Sequence, residues 1–197
     1  MKIISIGLFV ALIGGLSALA APAPEAGQKS VVIIYGSRYG STAQTAEWIA
    51  EGMAEGMAVK AAVVSAKDAG DLGGYEKVIL GSGIYGGQLQ ADMAAFLEKR
   101  GEEVKNKLLA LFVVCGAPPD QAGGYLEMFA GKCQAKPLLT RVFSGWMKKE
   151  LLSPEDFKGL EGYYKSINRP FENYDNTNKA KCLEFGGEIL KAMSEKK

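Results

Sequence analysis

The chain has 197 residues, 48% hydrophobic and 23% charged, the composition of one globular domain rather than a disordered chain. Its formal net charge of +1 supplies no global attraction to nucleic acid or to an anionic membrane surface. It has no histidine, and its three cysteines (Cys115, Cys133 and Cys182) include no Cys-x-x-Cys pair, so no metal site is expected and the commonest general base is missing.

Residues 1–20, MKIISIGLFVALIGGLSALA, read as an export signal. Lys2 precedes an apolar run from Ile3 to Leu12, Gly14-Gly15 weaken the helix, and Ala18-Leu19-Ala20 offers a cleavage site after Ala20. The uncharged stretch from Ile3 to Pro24 is also long enough to act as an uncleaved anchor. Both readings put the domain outside the cytoplasm, periplasmic or on the outer face of the cytoplasmic membrane. Residues 21–30 read as a Pro/Ala linker, leaving one domain over 31–197. Loss of the leader removes only Lys2 among charged residues and leaves a neutral chain. With an odd number of thiols at least one is unpaired, and a single bridge stays open.

From Val31, short apolar runs alternate with amphipathic segments, the pattern of an α/β domain with a parallel sheet. VVIIY (31–35) is a first strand, apolar on both faces, and 43–56 is a helix with Thr42 in its N-cap region. Strands are expected at 59–64, 77–83, 108–116 and 139–146, and helices at 90–100, 124–135 and 179–194. Gly186-Gly187 in the last helix are expected to let it approach the sheet closely. Five strands with crossover helices give a doubly wound sheet of order 2-1-3-4-5 with helices on both faces. Its ligand site belongs at the carboxyl ends of the strands, on the loops after strands one, three and four.

The first of these loops is YGSRYGST, Tyr35–Thr42. It ends where a helix begins, so backbone N–H groups and the positive end of the helix dipole face whatever it holds. Ser37, Ser41 and Thr42 add hydroxyl donors, and Gly36 and Gly40 permit close backbone approach. Three hydroxyls suit a phosphomonoester. The dinucleotide fingerprint G-x-G-x-x-G is absent, as is the lysine of a nucleotide-hydrolysing phosphate loop.

The run IIYGSRYGSTAQTAEWI, Ile33–Ile49, resembles the flavodoxin signature along its whole length. VILGSGIYGG (78–87) and LEKRGEEVKNKLLALFVV (97–114) extend the resemblance toward the branch containing menaquinone-dependent protoporphyrinogen dehydrogenase. The resemblance implies FMN, its 5′-phosphate held by Ser37, Arg38, Tyr39, Gly40, Ser41 and Thr42. It also implies a ring lying against Gly83, Ile84, Tyr85 and Gly86 on one side and the loop 115–125, with Gly116 and Tyr125, on the other. Tyr85 is the expected stacking residue, Tyr125 a second, and Gly83 and Gly86 could let a peptide rotate toward flavin N5. No residue of the protein is assigned as catalytic, because the flavin carries the redox chemistry.

Low-potential carriers of this family tend to be acidic; this chain is neutral, with Arg38 in the phosphate loop and Lys132, Lys136, Arg141, Lys148 and Lys149 beyond it. A less extreme potential is expected. Within 147–174, Ser153-Pro154-Glu155-Asp156 reads as a helix start, and Phe157, Leu160, Tyr163 and Tyr164 as an apolar stripe. That stripe either packs onto the domain or docks a quinone, a membrane or a redox partner protein. Three functions fit: an exported FMN-binding electron-transfer protein, a quinone-coupled FMN dehydrogenase, and a non-redox module binding another phosphate ligand.

Overall fold

Strand β1 (Val31–Gly36) is apolar at successive positions because both its faces are covered. Val31 and Ile33 join a core with Ile49, Phe112 and Phe185, while Val32 and Ile34 join a second core with Leu80, Met93 and Phe129. The computed structural model describes residues 31–54 and 61–195. The leader, the linker, the expected end of the first helix and the start of the second strand lie outside the described residues.

In chain order β1 is followed by α1 (Ser41–Ala54), β2 (Ala62–Ser65), β3 (Lys77–Tyr85), β4 (Gln88–Leu89) and α2 (Ala91–Lys107). Next come β5 (Leu108–Cys115), α3 (Gly123–Cys133), β6 (Leu139–Ser144), β7 (Trp146–Met147), α4 (Pro154–Ser166), β8 (Tyr174–Asp175) and α5 (Lys179–Glu195). The main sheet runs β2-β1-β3-β5-β6 with all these pairs parallel. Setting aside β4, which folds back on β3, this is the 2-1-3-4-5 order expected of right-handed crossovers. Ala46, Ile49 and Met53 of α1 and Cys182, Phe185 and Ile189 of α5 cover one face. Met93, Phe96 and Leu97 of α2 and Phe129 and Cys133 of α3 cover the other.

The second helix runs on to Lys107, past its expected end at residue 100, and three further features differ from the sequence reading, each for a packing reason. The third strand runs through the expected loop as far as Tyr85, because Gly81, Ser82 and Gly83 keep pairing with Phe112, Val113 and Val114. A side chain at Gly81 would overlap the Phe112 ring, which fills that space instead. Gly86 and Gly87, at φ +57° and +78°, then make the two-residue turn into β4 that only positive φ allows. The expected last strand stops at Ser144: Trp146 and Met147 leave the main sheet and pair antiparallel with Asp175 and Tyr174. Finally, Gly186 meets α1 rather than the sheet. A Cβ there would run into the Ile49 carbonyl and lie 2.9 Å from the Gly52 carbonyl carbon, while Gly187 has nothing within 4 Å.

All three cysteines are buried and unpaired, which closes the possibility of a bridge. Burial pushes the Cys133 thiol up to about 12 and the Cys182 thiol up to about 11, and raises Cys115 as well. Since the thiolate is the nucleophile, the folded protein at pH 8 should resist iodoacetamide and should melt at the same temperature with and without reductant. Mass spectrometry after alkylation in urea should then show all three modified.

Candidate functional site

The loop between β1 and α1 is built as a cradle. Gly40 sits at φ +94°, and a Cβ on it would come 3.2 Å from the Trp146 ring. The Gly40 amide donates to Ser37 Oγ at 3.1 Å, tightening the loop while leaving the Ser37 hydroxyl hydrogen available. Ser41 and Thr42 are not outside the helix, as an N-cap would be, but form its first two residues, and both are buried. Gly145, at the end of β6, allows this close packing: a Cβ there would lie 3.0 Å from Ser41 Oγ.

The decisive atom is Thr42 Oγ1. It is the one fully buried side-chain polar atom among the described residues with no hydrogen-bond partner. The other buried polar groups nearby are satisfied: Ser82 Oγ donates to the Gly83 carbonyl and accepts the Gln90 amide, and Gln90 Oε1 accepts from Met93. An unpaired buried hydroxyl at a helix start, within a glycine-bent loop, fits a phosphate oxygen as its partner.

From this loop a cleft of about 490 Å³ opens across the carboxyl ends of β1, β3, β5 and β6. Of the residues expected from sequence, Tyr39, Ser41, Ile84, Tyr85, Gly86 and Gly116 line it directly. Ser37, Gly40 and Thr42 form its cradle end, and Gly83 lies against Thr42, a Cβ there being 3.0 Å from Thr42 Oγ1. Arg38 is near but engaged: its Nη1 lies 2.7 Å from Asp156 Oδ2. Tyr125 is not brought in. It stands in the first turn of α3 and packs against the core beneath α2 and α3, so the structure gives it no place beside a ring in this cleft.

Tyr85 does not project freely. Its hydroxyl accepts the Arg38 amide hydrogen at 3.0 Å, its ring meets the Tyr39 ring edge-on at 6.0 Å, and burial raises its phenol above the ordinary range. Tyr174 closes the floor of the cleft over Gly116, where a Cβ would lie 2.5 Å from its hydroxyl. Burial, with Tyr164 and Cys115 beside it, pushes Tyr174 up to about 12. The cleft floor is therefore uncharged at neutral pH.

Sequence reasoning missed the outer wall. Trp146, Lys148, Leu152, Asp156 and Tyr174 all line the cleft, and Leu160, Tyr163 and Tyr164 of the α4 stripe join them. Phe157 instead packs edge-on against Phe171 at 5.1 Å. Trp146 could have been found by counting the loop after the last strand among the site loops. Asp156 carries no local signal beyond its place in the first turn of a helix. Of the basic residues noted beyond the loop, Arg141 pairs with Glu188, Lys149 lies over Phe157 and Phe171, and only Lys148 reaches the cleft.

Two other depressions, about 400 Å³ between α2 and α3 and about 490 Å³ at the amino ends of β3, β5 and β6, hold none of the expected residues. Among the described residues there is no cluster of metal-ligating side chains, and no helix is long and apolar enough to cross a membrane.

A family profile described as a flavodoxin domain matches residues 32–155, more than half of the chain. The chain belongs to the flavodoxin family. The match spans the cradle, β3, β5 and the start of α4. Solved flavodoxins share the fold. Oxidised flavodoxin 1 from Bacillus cereus is 24% identical over 82% of this chain and 97% of its own, with a TM-score of 0.54. An archaeal flavodoxin is 18% identical over 84% of this chain and 99% of its own, also at 0.54. The two-electron reduced flavodoxin of Megasphaera elsdenii is 18% identical over 82% and 98%, again at 0.54. No curated protein matches the chain significantly.

Proposed function

We propose that this flavodoxin-family domain binds FMN noncovalently and transfers electrons outside the cytoplasm. The observation that carries the reading is the orphaned, fully buried Thr42 Oγ1 at the start of α1. Thr42, Ser41 and Ser37 would hold the phosphate together with the amides of the helix start. Tyr85 with Ile84 and Gly86, and Gly116 opposite, would flank the ring system. Bound FMN supplies the electron chemistry; the protein supplies position and surroundings.

Those surroundings favour a moderate potential. Cys115, Tyr85 and Tyr174 are all raised by burial and stay neutral, and Asp156 is the one carboxylate lining the cleft among the described residues. Lys148 and Arg169 stand at its rim. Apart from Asp156, whose charge is matched by Arg38, a flavin that gains negative charge would meet neutral and basic groups there. The setting outside the cytoplasm, periplasmic or on the outer face of the cytoplasmic membrane, is supported by the leader sequence, residues 1–20.

A second reading, a quinone-coupled FMN dehydrogenase of the protoporphyrinogen dehydrogenase type, is favoured by the outer wall. Leu160, Tyr163, Tyr164 and Ile167 line the cleft beside the proposed ring position, with Tyr163 57% and Ile167 41% exposed. Such a wall suits an organic partner entering the cleft as well as a protein touching its edge.

Protein recovered from its native compartment should be yellow and should release FMN on denaturation. A colourless protein that takes up no added FMN would contradict the proposal. Reoxidation of the reduced protein by a quinone at catalytic rates would favour the second reading over the first.

A further inference from the structure

We infer that Asp156 sets the charge of the phosphate loop: it holds Arg38 and Tyr39 so that the loop grips its anion with neutral donors. The inference rests on the phosphate-cradle reading above and adds a residue outside the loop that determines its affinity and salt dependence.

The contacts form a closed set. Asp156 Oδ2 is met by Arg38 Nη1 at 2.7 Å and by the Tyr39 hydroxyl, which donates to it. The Tyr39 hydroxyl oxygen accepts the Ser153 amide at 3.3 Å, and the Asp156 amide donates to Ser153 Oγ at 3.1 Å. On the other side of the loop Trp146 Nε1 donates to the Tyr39 carbonyl at 3.0 Å. The start of α4 and the phosphate loop are thus locked together through Tyr39, and the carboxylate is fixed by the helix cap that carries it.

The consequence is electrostatic. Arg38 lies in a loop built to receive an anion, yet its charge is already matched, and its guanidinium lies over the Tyr39 ring with its carbon 5.5 Å from the centroid. Half-exposed ion pairs contribute little to stability. Beside a dianion, however, a full unit of charge changes affinity severalfold, and the change is screened by salt. The Arg38–Asp156 pair leaves the phosphate to the amides of the helix start and the hydroxyls of Ser37, Ser41 and Thr42.

Replacing Asp156 by asparagine tests this. Asparagine keeps an acceptor for the Tyr39 hydroxyl, and the cap hydrogen bond is unaffected because it comes from the main-chain amide. The Asp156→Asn protein should bind FMN about fivefold or more tightly at low ionic strength, with the gain shrinking as salt is added. Riboflavin, which lacks the phosphate, should bind as it does to the parent. Arg38→Gln should weaken FMN binding, and Arg38→Gln with Asp156→Asn should return toward the parental affinity.

Asp156→Asn that binds FMN no better than the parent, or that improves riboflavin equally, overturns the inference. A double variant as weak as Arg38→Gln alone also overturns it, by making Arg38 a direct phosphate ligand. If the parent binds no FMN, the proposed function fails instead, and inorganic phosphate decides the inference separately. A larger phosphate-induced rise in melting temperature for Asp156→Asn than for the parent upholds it; an equal rise, or none, removes it.

Discussion

Replacing Gly186 with valine is expected to cost the domain about 3 kcal/mol or more, whereas alanine at the neighbouring Gly187 is expected to stabilise it by about 0.5–1 kcal/mol. The opposite signs follow from where the two Cα atoms point. Gly186 of α5 faces the backbone of α1, and a Cβ there would strike the Ile49 carbonyl and approach Met53 N to 2.9 Å. The contact is reciprocal: a Cβ on Gly52 would collide with the Leu183 backbone of α5. Backbone atoms inside two packed helices cannot rotate aside as a side chain can. Insertion of a branched side chain therefore forces α1 and α5 apart, opening the core of Ile49, Phe143 and Phe185 between helix and sheet. Against a total stability of about 5–15 kcal/mol, that is a large fraction. Gly187 meets nothing within 4 Å, so alanine there gains helix propensity alone. Urea unfolding should show the two midpoints moving in opposite directions at unchanged slope. A Gly186→Val protein with the parental midpoint would show that the helices do not meet through these glycines.

Thr42→Val is expected to act oppositely on stability and on binding. Valine keeps the shape of threonine and removes only the hydroxyl. Thr42 is fully buried and its Oγ1 has no partner among the described residues, so its removal relieves a desolvation cost. The ligand-free protein should be as stable as the parent or more so, by up to about 1–3 kcal/mol. The same change removes a hydrogen bond to a charged phosphate, so FMN affinity should fall by about 1.5–3 kcal/mol, a factor of roughly 10 to 150. Melting temperature without ligand and a flavin titration check the two halves independently. A destabilised protein with unchanged FMN affinity would make Thr42 an ordinary core residue and move the phosphate elsewhere.

The fold was legible because local pattern and global topology agree. Val31 to Ile34 could be apolar throughout only if both faces were covered, and they are. The start of α4 was legible for the same kind of reason: Ser153, Pro154 and two acids each favour a helix start, and Ser153 caps it. Where readings failed, a tertiary contact had overridden a local signal. GSGIYGG looks like a loop, yet Gly81 is there for the Phe112 ring, and the turn is confined to Gly86-Gly87. The pair Gly186-Gly187 marks a close approach, but nothing in its sequence says that the neighbour is another glycine-bearing helix.

The site divides similarly. The loop between β1 and α1 was legible as an anion-binding candidate because its hydroxyls and glycines lie within six residues, Ser37 to Thr42, at a helix start. The outer wall was not, because Trp146, Asp156 and Tyr174 reach the cleft only after the chain leaves the main sheet at Gly145 and returns through β8. Tyr125 shows the converse case. An aromatic residue in the loop after a strand invites a stacking role, yet α3 begins at Gly123 and sets Tyr125, half-buried, against the core of α2 and α3.

The proposed occupant of the cleft is a phosphate-bearing flavin with its phosphate in the Ser37–Thr42 cradle. This placement is tested most directly by titrating flavin-free protein with FMN and with riboflavin and following flavin fluorescence. Saturation at one equivalent of FMN is expected, with much weaker binding of riboflavin. Absence of any FMN binding, or riboflavin bound as tightly as FMN, would contradict it.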